Sequence, residues 1–286
     1  MATPSSIDYL ISAQHKNGGW GYQTGHQPIV ESTATVLLAL RDEPLASESF
    51  QLGLTWLLDC QHEDGGWGIN ENDHESGWQT AWALMVLKRS KQSDERIIKA
   101  VDWLSSVATY AVPRDEFLAS PFPKRDSLDA LVWPWLPGQA GWLEPTALAV
   151  LALMDVRSTP LAGSRIEIAL DYFGHYRTPD GGWNIGNTSS LDTIIIPRAY
   201  HTALVLVALS GIAPQNVQPG DITALQQDLS RDPGLLAHAA GLLAMKILKE
   251  KDSSDSYIKS NQLADGSWEH NPFVTAWSML GLRGYL

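Results

Sequence analysis

The chain has a single cysteine, Cys60, among its 286 residues. That scarcity excludes an intramolecular disulfide and any multi-cysteine metal site, and makes a cytoplasmic setting the default expectation. A basic cluster is also lacking. With 20 Lys and Arg against 32 Asp and Glu, the formal net charge is −12, which disfavours nucleic acid as a partner because phosphate is held by clustered Lys and Arg. No uninterrupted apolar run approaches the ~20 residues of a membrane span. The opening Met-Ala-Thr-Pro-Ser-Ser-Ile-Asp has neither the basic start nor the apolar core of a signal peptide. Phenylalanine is scarce at 5 copies, yet tryptophan reaches 12.

The tryptophans are placed periodically. Gln14-His-Lys-Asn-Gly-Gly-Trp20 recurs as Gln61-His-Glu-Asp-Gly-Gly-Trp67, Arg177-Thr-Pro-Asp-Gly-Gly-Trp183 and Gln262-Leu-Ala-Asp-Gly-Ser-Trp268. Such internal repeats mark supersecondary units that cannot bury their apolar faces alone, so residues 1–286 read as one repeat-built domain. A second anchor is Thr-Ala, at Thr33, Thr80, Thr146, Thr202 and Thr275, each with Leu seven residues later. The segments around these anchors are apolar nearly all round, which predicts helices buried on every side. Before each lies a segment with one-sided patterning, Ile7 to Gln14, Phe50 to Gln61, Ile97 to Val107, Ile166 to Tyr176 and Tyr257 to Gln262, which predicts an outer helix facing water. A degenerate copy pairs Ile222 to Leu229 with Leu235 to Leu248 and carries His238 at the Thr position. The Gly pairs stop the outer helices because Gly reaches left-handed dihedrals without steric cost.

Six helical hairpins follow, an all-α fold. They can be satisfied by closure into a ring of inner and outer helices or by an open superhelix, and periodicity does not choose between them. One long insertion interrupts them at about residues 108–141, with five prolines and the apolar stretch Leu131-Val-Trp-Pro-Trp-Leu-Pro-Gly138. Prolines so placed forbid a helix interior. A loop of that length suggests a lid or pocket wall built on Trp133 and Trp135.

The spacing aromatic, Leu, three residues, Gln, three residues, Gly-x-Trp stands at Tyr9 to Trp20 and at Trp56 to Trp67. It recurs with Ile for Leu at Tyr257 to Trp268, and Tyr172 to Trp183 is a near-copy. This resembles the repeat of squalene–hopene cyclases, known as the QW motif, and more broadly that of protein prenyltransferase β subunits. The resemblance implies an (α/α)6 toroid of six inner and six outer helices around an apolar cavity for isoprenoid chains. In such a ring the residues two before each anchor, Glu31, Trp78, Glu144, Tyr200, Leu236 and Phe273, gather at one mouth, an aromatic rim holding two carboxyls.

Squalene cyclases carry Asp-x-Asp-Asp-Thr-Ala there, the middle Asp protonating an alkene or epoxide. Aligned on Thr-Ala, Glu31 and Glu144 occupy that position, but Ile29 and Ser32 or Trp142 and Pro145 replace the flanking acids. The resemblance therefore implies acid-initiated, class II type cyclisation, an isomerase activity, with Glu31 or Glu144 as acid. The competing reading of each Glu is a helix-start acid complementing the macrodipole. In prenyltransferase β subunits zinc is held by Asp-x-Cys and by the His of Tyr-His-Thr. Here Tyr200-His201-Thr202 repeats the second element, while Thr146 stands where the thiolate would be, a feeble ligand. No metal or other cofactor is expected, and His201 is a candidate to tune a mouth carboxyl or to cap a helix. Asp126 and Asp129 form half of a magnesium-diphosphate pattern and more often solvate a loop. The expected ligand is a hydrophobic, isoprenoid-like small molecule. A partner protein, a peripheral membrane contact, a non-catalytic repeat domain and a prenyltransferase-like subunit without its zinc site remain open.

Overall fold

The computed structural model of the chain describes residues 5–90, 94–109, 131–185, 189–190, 193–194, 196–251 and 254–286. Twelve α-helices occur among them, with short 3-10 turns and one two-residue strand pair, Ser189–Ser190 against Thr193–Ile194. The outer helices are α1 (Ser6–Ser12), α3 (Ser47–Asp59), α5 (Asp94–Ser106), α7 (Pro160–His175), α9 (Pro219–Leu229) and α11 (Ser254–Ser260). The inner helices are α2 (Val30–Leu40), α4 (Gln79–Arg89), α6 (Leu143–Leu153), α8 (Ala199–Ile212), α10 (Leu235–Leu248) and α12 (Pro272–Arg283). Each inner helix packs on the next, and α12 packs on α2, so the hairpins close into a ring.

Burial follows the sequence pattern. Every residue of α2 is buried, and so is every residue of α6 except Glu144. The outer helices bury one face only: α3 hides Gly53, Leu54, Trp56 and Leu57 while Leu52 stays exposed. An apolar stripe facing a core on one side is what such patterning selects.

The repeat acts through hydrogen bonds. In five hairpins the indole Nε1–H donates at 2.7 Å to a carbonyl on the preceding outer helix: Trp20 to Leu10, Trp67 to Leu57, Trp133 to Leu104, Trp183 to Phe173 and Trp268 to Ile258. The backbone N–H of the same tryptophan donates at 2.9–3.2 Å to the hydroxyl of the anchoring threonine, Thr33, Thr80, Thr146, Thr202 or Thr275. One residue thereby ties an outer helix end to an inner helix start, satisfying groups that would otherwise be buried unpaired. The glutamine ties neighbours together. Gln14 Nε2 reaches Ser49 O, Gln61 Nε2 reaches Arg96 O, and Gln262 Nε2 reaches Ser6 Oγ, where the last hairpin meets the first. At the fourth hairpin Arg177 replaces the glutamine and forms a 3.0 Å ion pair with the fully buried Asp221 of the next outer helix. In the degenerate fifth hairpin His238 stacks on Tyr257 with ring centroids 4.0 Å apart.

Trp133 corrects an expectation. It is 2% exposed and belongs to this repeat set, not to a lid over the mouth. The insertion enters before it: 29 residues separate Leu104 from Trp133, against 10 between tryptophan and acceptor in the other four hairpins. Residues 131–142 therefore form the repeat loop of the third hairpin, and the expected insertion ends ahead of residue 133 instead of at 141. Its residues 110–130, including Asp126 and Asp129, lie outside the described residues.

The ring is polar along its axis. All inner helices start at one end, and at the other cationic side chains donate to the C-terminal carbonyls of neighbours. Lys88 reaches Ala152 O, Lys246 reaches Leu282 O, Arg283 reaches Ala39 O and Arg157 reaches Ile212 O. This is the favoured placement of cations against helix dipoles.

Candidate functional site at the ring mouth

At the other end the inner helix N-termini bring the two acids into one aromatic basin. Glu31, in the first turn of α2, is 8% exposed and accepts a hydrogen bond from the phenol of Tyr22. Glu144, in the first turn of α6, accepts one from the phenol of Tyr200 on the neighbouring α8 at 3.1 Å. Glu144 also stands where a helix-start acid complements the macrodipole, although its side chain makes no bond to a backbone N–H. His201 stands beside it, its Nε2 3.8 Å from Glu144 Oε2, and its buried Nδ1 has no hydrogen-bond partner.

Burial dominates the electrostatics. It pushes both carboxyls up, Glu31 to about 7 and Glu144 to about 7, with the phenol hydrogen bonds acting the other way. The charge of Glu144 raises Glu31 further. Helix N-termini pull in the opposite direction, but a macrodipole contributes roughly 0.3–1 kcal/mol, whereas a rise from 4.5 to about 7 corresponds to about 3 kcal/mol. Desolvation prevails. Near neutral pH a large share of each carboxyl carries its proton, and ionising one opposes ionising the other. His201 is pushed down to about 4, first by burial and then by Arg198, so its imidazole is neutral. The Tyr22 and Tyr200 phenols are raised by burial and the nearby carboxyls, and they remain donors.

The aromatic rim is continuous with the acids. Phe273 packs edge-on to Tyr22 with centroids at 5.5 Å, and Trp78 packs edge-on to Trp135 at 4.9 Å. The Trp78 N–H also donates to Trp135 O at 3.1 Å, which fixes the third hairpin's loop against α4. One turn deeper, Trp277 of α12 meets Tyr200 of α8 at 6.0 Å and Trp82 of α4 at 5.7 Å. Those helices are not neighbours in the ring, so these rings meet across the lumen. The structure thus gathers Glu31, Glu144, Tyr200, His201 and Phe273, sets Trp78 and Trp135 together beside α4, and removes Trp133. Sequence reasoning missed Tyr22, whose only signal was an aromatic side chain two residues past a repeat tryptophan, and it missed Trp82 and Trp277, which stand two residues past Thr80 and Thr275.

Thr146 has a structural duty. Its hydroxyl accepts from Trp133 N–H at 3.2 Å and donates to Trp142 O at 2.6 Å. No group of three or more His, Cys, Asp or Glu able to hold a metal occurs among the described residues. Among them no helix is long and apolar enough to cross a membrane. Cys60 is buried, and burial pushes its thiol up to about 12.

A ring of six double-helical repeats with a carboxyl-bearing aromatic mouth defines a class of α/α toroids. Residues 1–125 match the sequence family described as the squalene-hopene cyclase C-terminal domain, a likeness that spans less than half of the chain. No curated protein sequence matches it. Among solved structures, a variant of the type II terpene cyclase MstE from Scytonema, in complex with its product merosterolic acid A, is similar at 18% identity. That match covers 98% of this chain and 94% of that one, with a TM-score of 0.64. Another MstE variant, in complex with the substrate geranylgeranyl dihydroxybenzoate, matches at 16% identity over 97% and 94%, with a TM-score of 0.62. A protein described as a novel alpha-amylase from Clostridium perfringens matches at 11% identity over 99% and 97%, with a TM-score of 0.68. Similarity at this level establishes the fold, and one fold serves unrelated chemistries, so function has to be argued from the site.

Proposed function

We propose that this protein binds an isoprenoid-type ligand at the ring mouth and cyclises it by proton transfer from Glu144. The observation that carries this reading is the pair of carboxyls held near half protonation at neutral pH, each with a phenol partner, inside an aromatic basin. An alkene is a poor base, so its protonation requires a neutral, desolvated acid placed against it. Glu144 supplies that acid, with Tyr200 fixing its orientation. Proton transfer to the alkene breaks the Glu144 O–H bond, forms a C–H bond and leaves a tertiary cation, which ring closure onto further double bonds relocates. The faces of Tyr22, Tyr200, Phe273, Trp78 and Trp135 suit such a cation. Because Glu31 opposes a second ionisation, the mouth holds one carboxylate during the reaction. Loss of a proton from the final cation returns the acid to its starting state, so the product is an isomer of the substrate.

The solved structures support a chain of this size carrying such chemistry, since the MstE variants hold an isoprenoid substrate or product on a chain that this one covers to 94%. Incubating the purified protein with geranylgeranylated phenols and geranylgeraniol, with product analysis by mass spectrometry, tests the proposal. Isomeric cyclic products that vanish in Glu144→Gln are expected. Wild-type turnover that survives Glu144→Gln overturns the assignment. The absence of Asp beside either Glu favours a second reading, a repeat domain that binds the same ligands without turnover, and binding without isomerisation in the same assay would select it.

A further inference from the structure

Two donors beneath the mouth have no acceptor. The indole Nε1–H groups of Trp82 and Trp277 are fully buried, both side chains are 0% exposed, and neither has a hydrogen-bond partner. The other five fully buried tryptophans, Trp20, Trp67, Trp133, Trp183 and Trp268, all donate to a carbonyl at 2.7 Å. The two exceptions therefore share a location, not a general looseness of tryptophan packing. They stand one helical turn below Trp78 and Phe273 of the mouth rim, on α4 and α12, and meet edge to face across the lumen at 5.7 Å and 88°. An edge-to-face pair lets at most one N–H point at the partner's ring, so at least one donor is left over. A buried donor without an acceptor carries its full desolvation cost, and a chain filling this place for packing alone would do as well with Phe.

We infer that Trp82 and Trp277 form a subsite for an oxygen function of the ligand, one whose hydroxyl, carbonyl or carboxylate oxygen accepts from the indoles while its hydrocarbon part occupies the aromatic mouth. The subsite rests on the isoprenoid reading above and narrows it: the ligand is an oxygenated isoprenoid, and a pure hydrocarbon is discriminated against. A site built to hydrogen-bond a polar group rejects the analogue lacking it because its own groups are then left unpaired. The oxygen binds one turn below Glu144, so the tail bearing the reacting double bond lies toward the rim.

The test compares geranylgeraniol with its deoxy hydrocarbon, in which methyl replaces the terminal CH2OH, as ligands of the full-length protein. Wild type should bind the alcohol more tightly by on the order of 10-fold, and the variant W82F/W277F should bind both alike with the hydrocarbon affinity unchanged. A second readout needs no variant: in 15N-labelled protein the indole Nε1–H resonances of Trp82 and Trp277 should move on addition of the alcohol and stay with the hydrocarbon. Equal wild-type affinities, discrimination that survives in the double variant, or resonances that respond to both ligands alike would each overturn the subsite. Failure of wild type to bind either ligand would overturn the isoprenoid reading itself, and the subsite with it.

Discussion

Glu31 and Glu144 are expensive residues for this fold, and that cost is measurable. Each carboxyl has a folded pKa near 7, above the unfolded value of 4.5. The folded state therefore binds more protons than the unfolded one between those values, and stability falls as pH rises through about 4.5 to 7. Glu144→Gln keeps the shape and removes the titration. Its unfolding free energy should match wild type below pH 4.5 and exceed it at pH 8 by up to about 3 kcal/mol, read from denaturant unfolding at the two pH values. In the same variant the proposed cyclisation should drop by roughly 10²-fold or more. A residue whose loss stabilises the protein while removing its activity is held for function. The two tryptophans of Trp133-Pro-Trp135 should divide in the opposite sense. Trp133→Phe loses the bond to Leu104 O and should cost about 1–2 kcal/mol with ligand binding retained. Trp135→Ala should weaken ligand binding with a smaller effect on unfolding, because Trp135 is only half-buried against Trp78.

Among the elements, the hairpins were legible because each is specified locally: a one-sided outer helix, a Gly-rich stop, a tryptophan and a threonine. Trp133 was hidden because its segment lacks the glutamine and the Gly pair, although 13 residues separate tryptophan from threonine in the first, second and third hairpins alike. The Thr-Ala anchors placed Glu31, Glu144, Tyr200 and Phe273 at one register, and that part of the site could be written down from the chain. What could not be read were meetings between distant elements, Tyr22 with Glu31 around a loop and Trp82 with Trp277 across the lumen, since no local period encodes which helices face each other. Arg177 shows how an element tolerates a broken rule. Its pair with Asp221 substitutes for the glutamine staple, and Asp221 also accepts from Gly182 N and Gln218 N. Arg177→Gln restores the repeat residue but leaves a fully buried carboxylate without its cation. It should destabilise by about 2–3 kcal/mol, a loss that Gln14→Ala, without a charge to orphan, should not match in urea titration.

For the whole molecule, closure distinguishes this ring from an open stack of repeats. Each inner helix packs between two neighbours, α12 against α2 included, so no hairpin is terminal. Open arrays lose cooperativity by fraying from their ends. This chain should instead unfold in one transition, with calorimetric and van't Hoff enthalpies agreeing; two resolved heat-absorption peaks would show that its halves act separately.

The stitching of helix ends by Lys88, Arg157, Lys246 and Arg283 fixes one rim of the ring, and that decides where the molecule is free to change. On the stitched rim, an added residue would pull a cation away from the carbonyl it serves. On the mouth rim the connections already differ widely, from the five residues joining α9 to α10 to the nineteen joining α3 to α4. Lengthening or shortening them leaves every stitch in place. Evolution can therefore reshape the mouth, loop by loop, on a chassis whose other side stays under tight constraint.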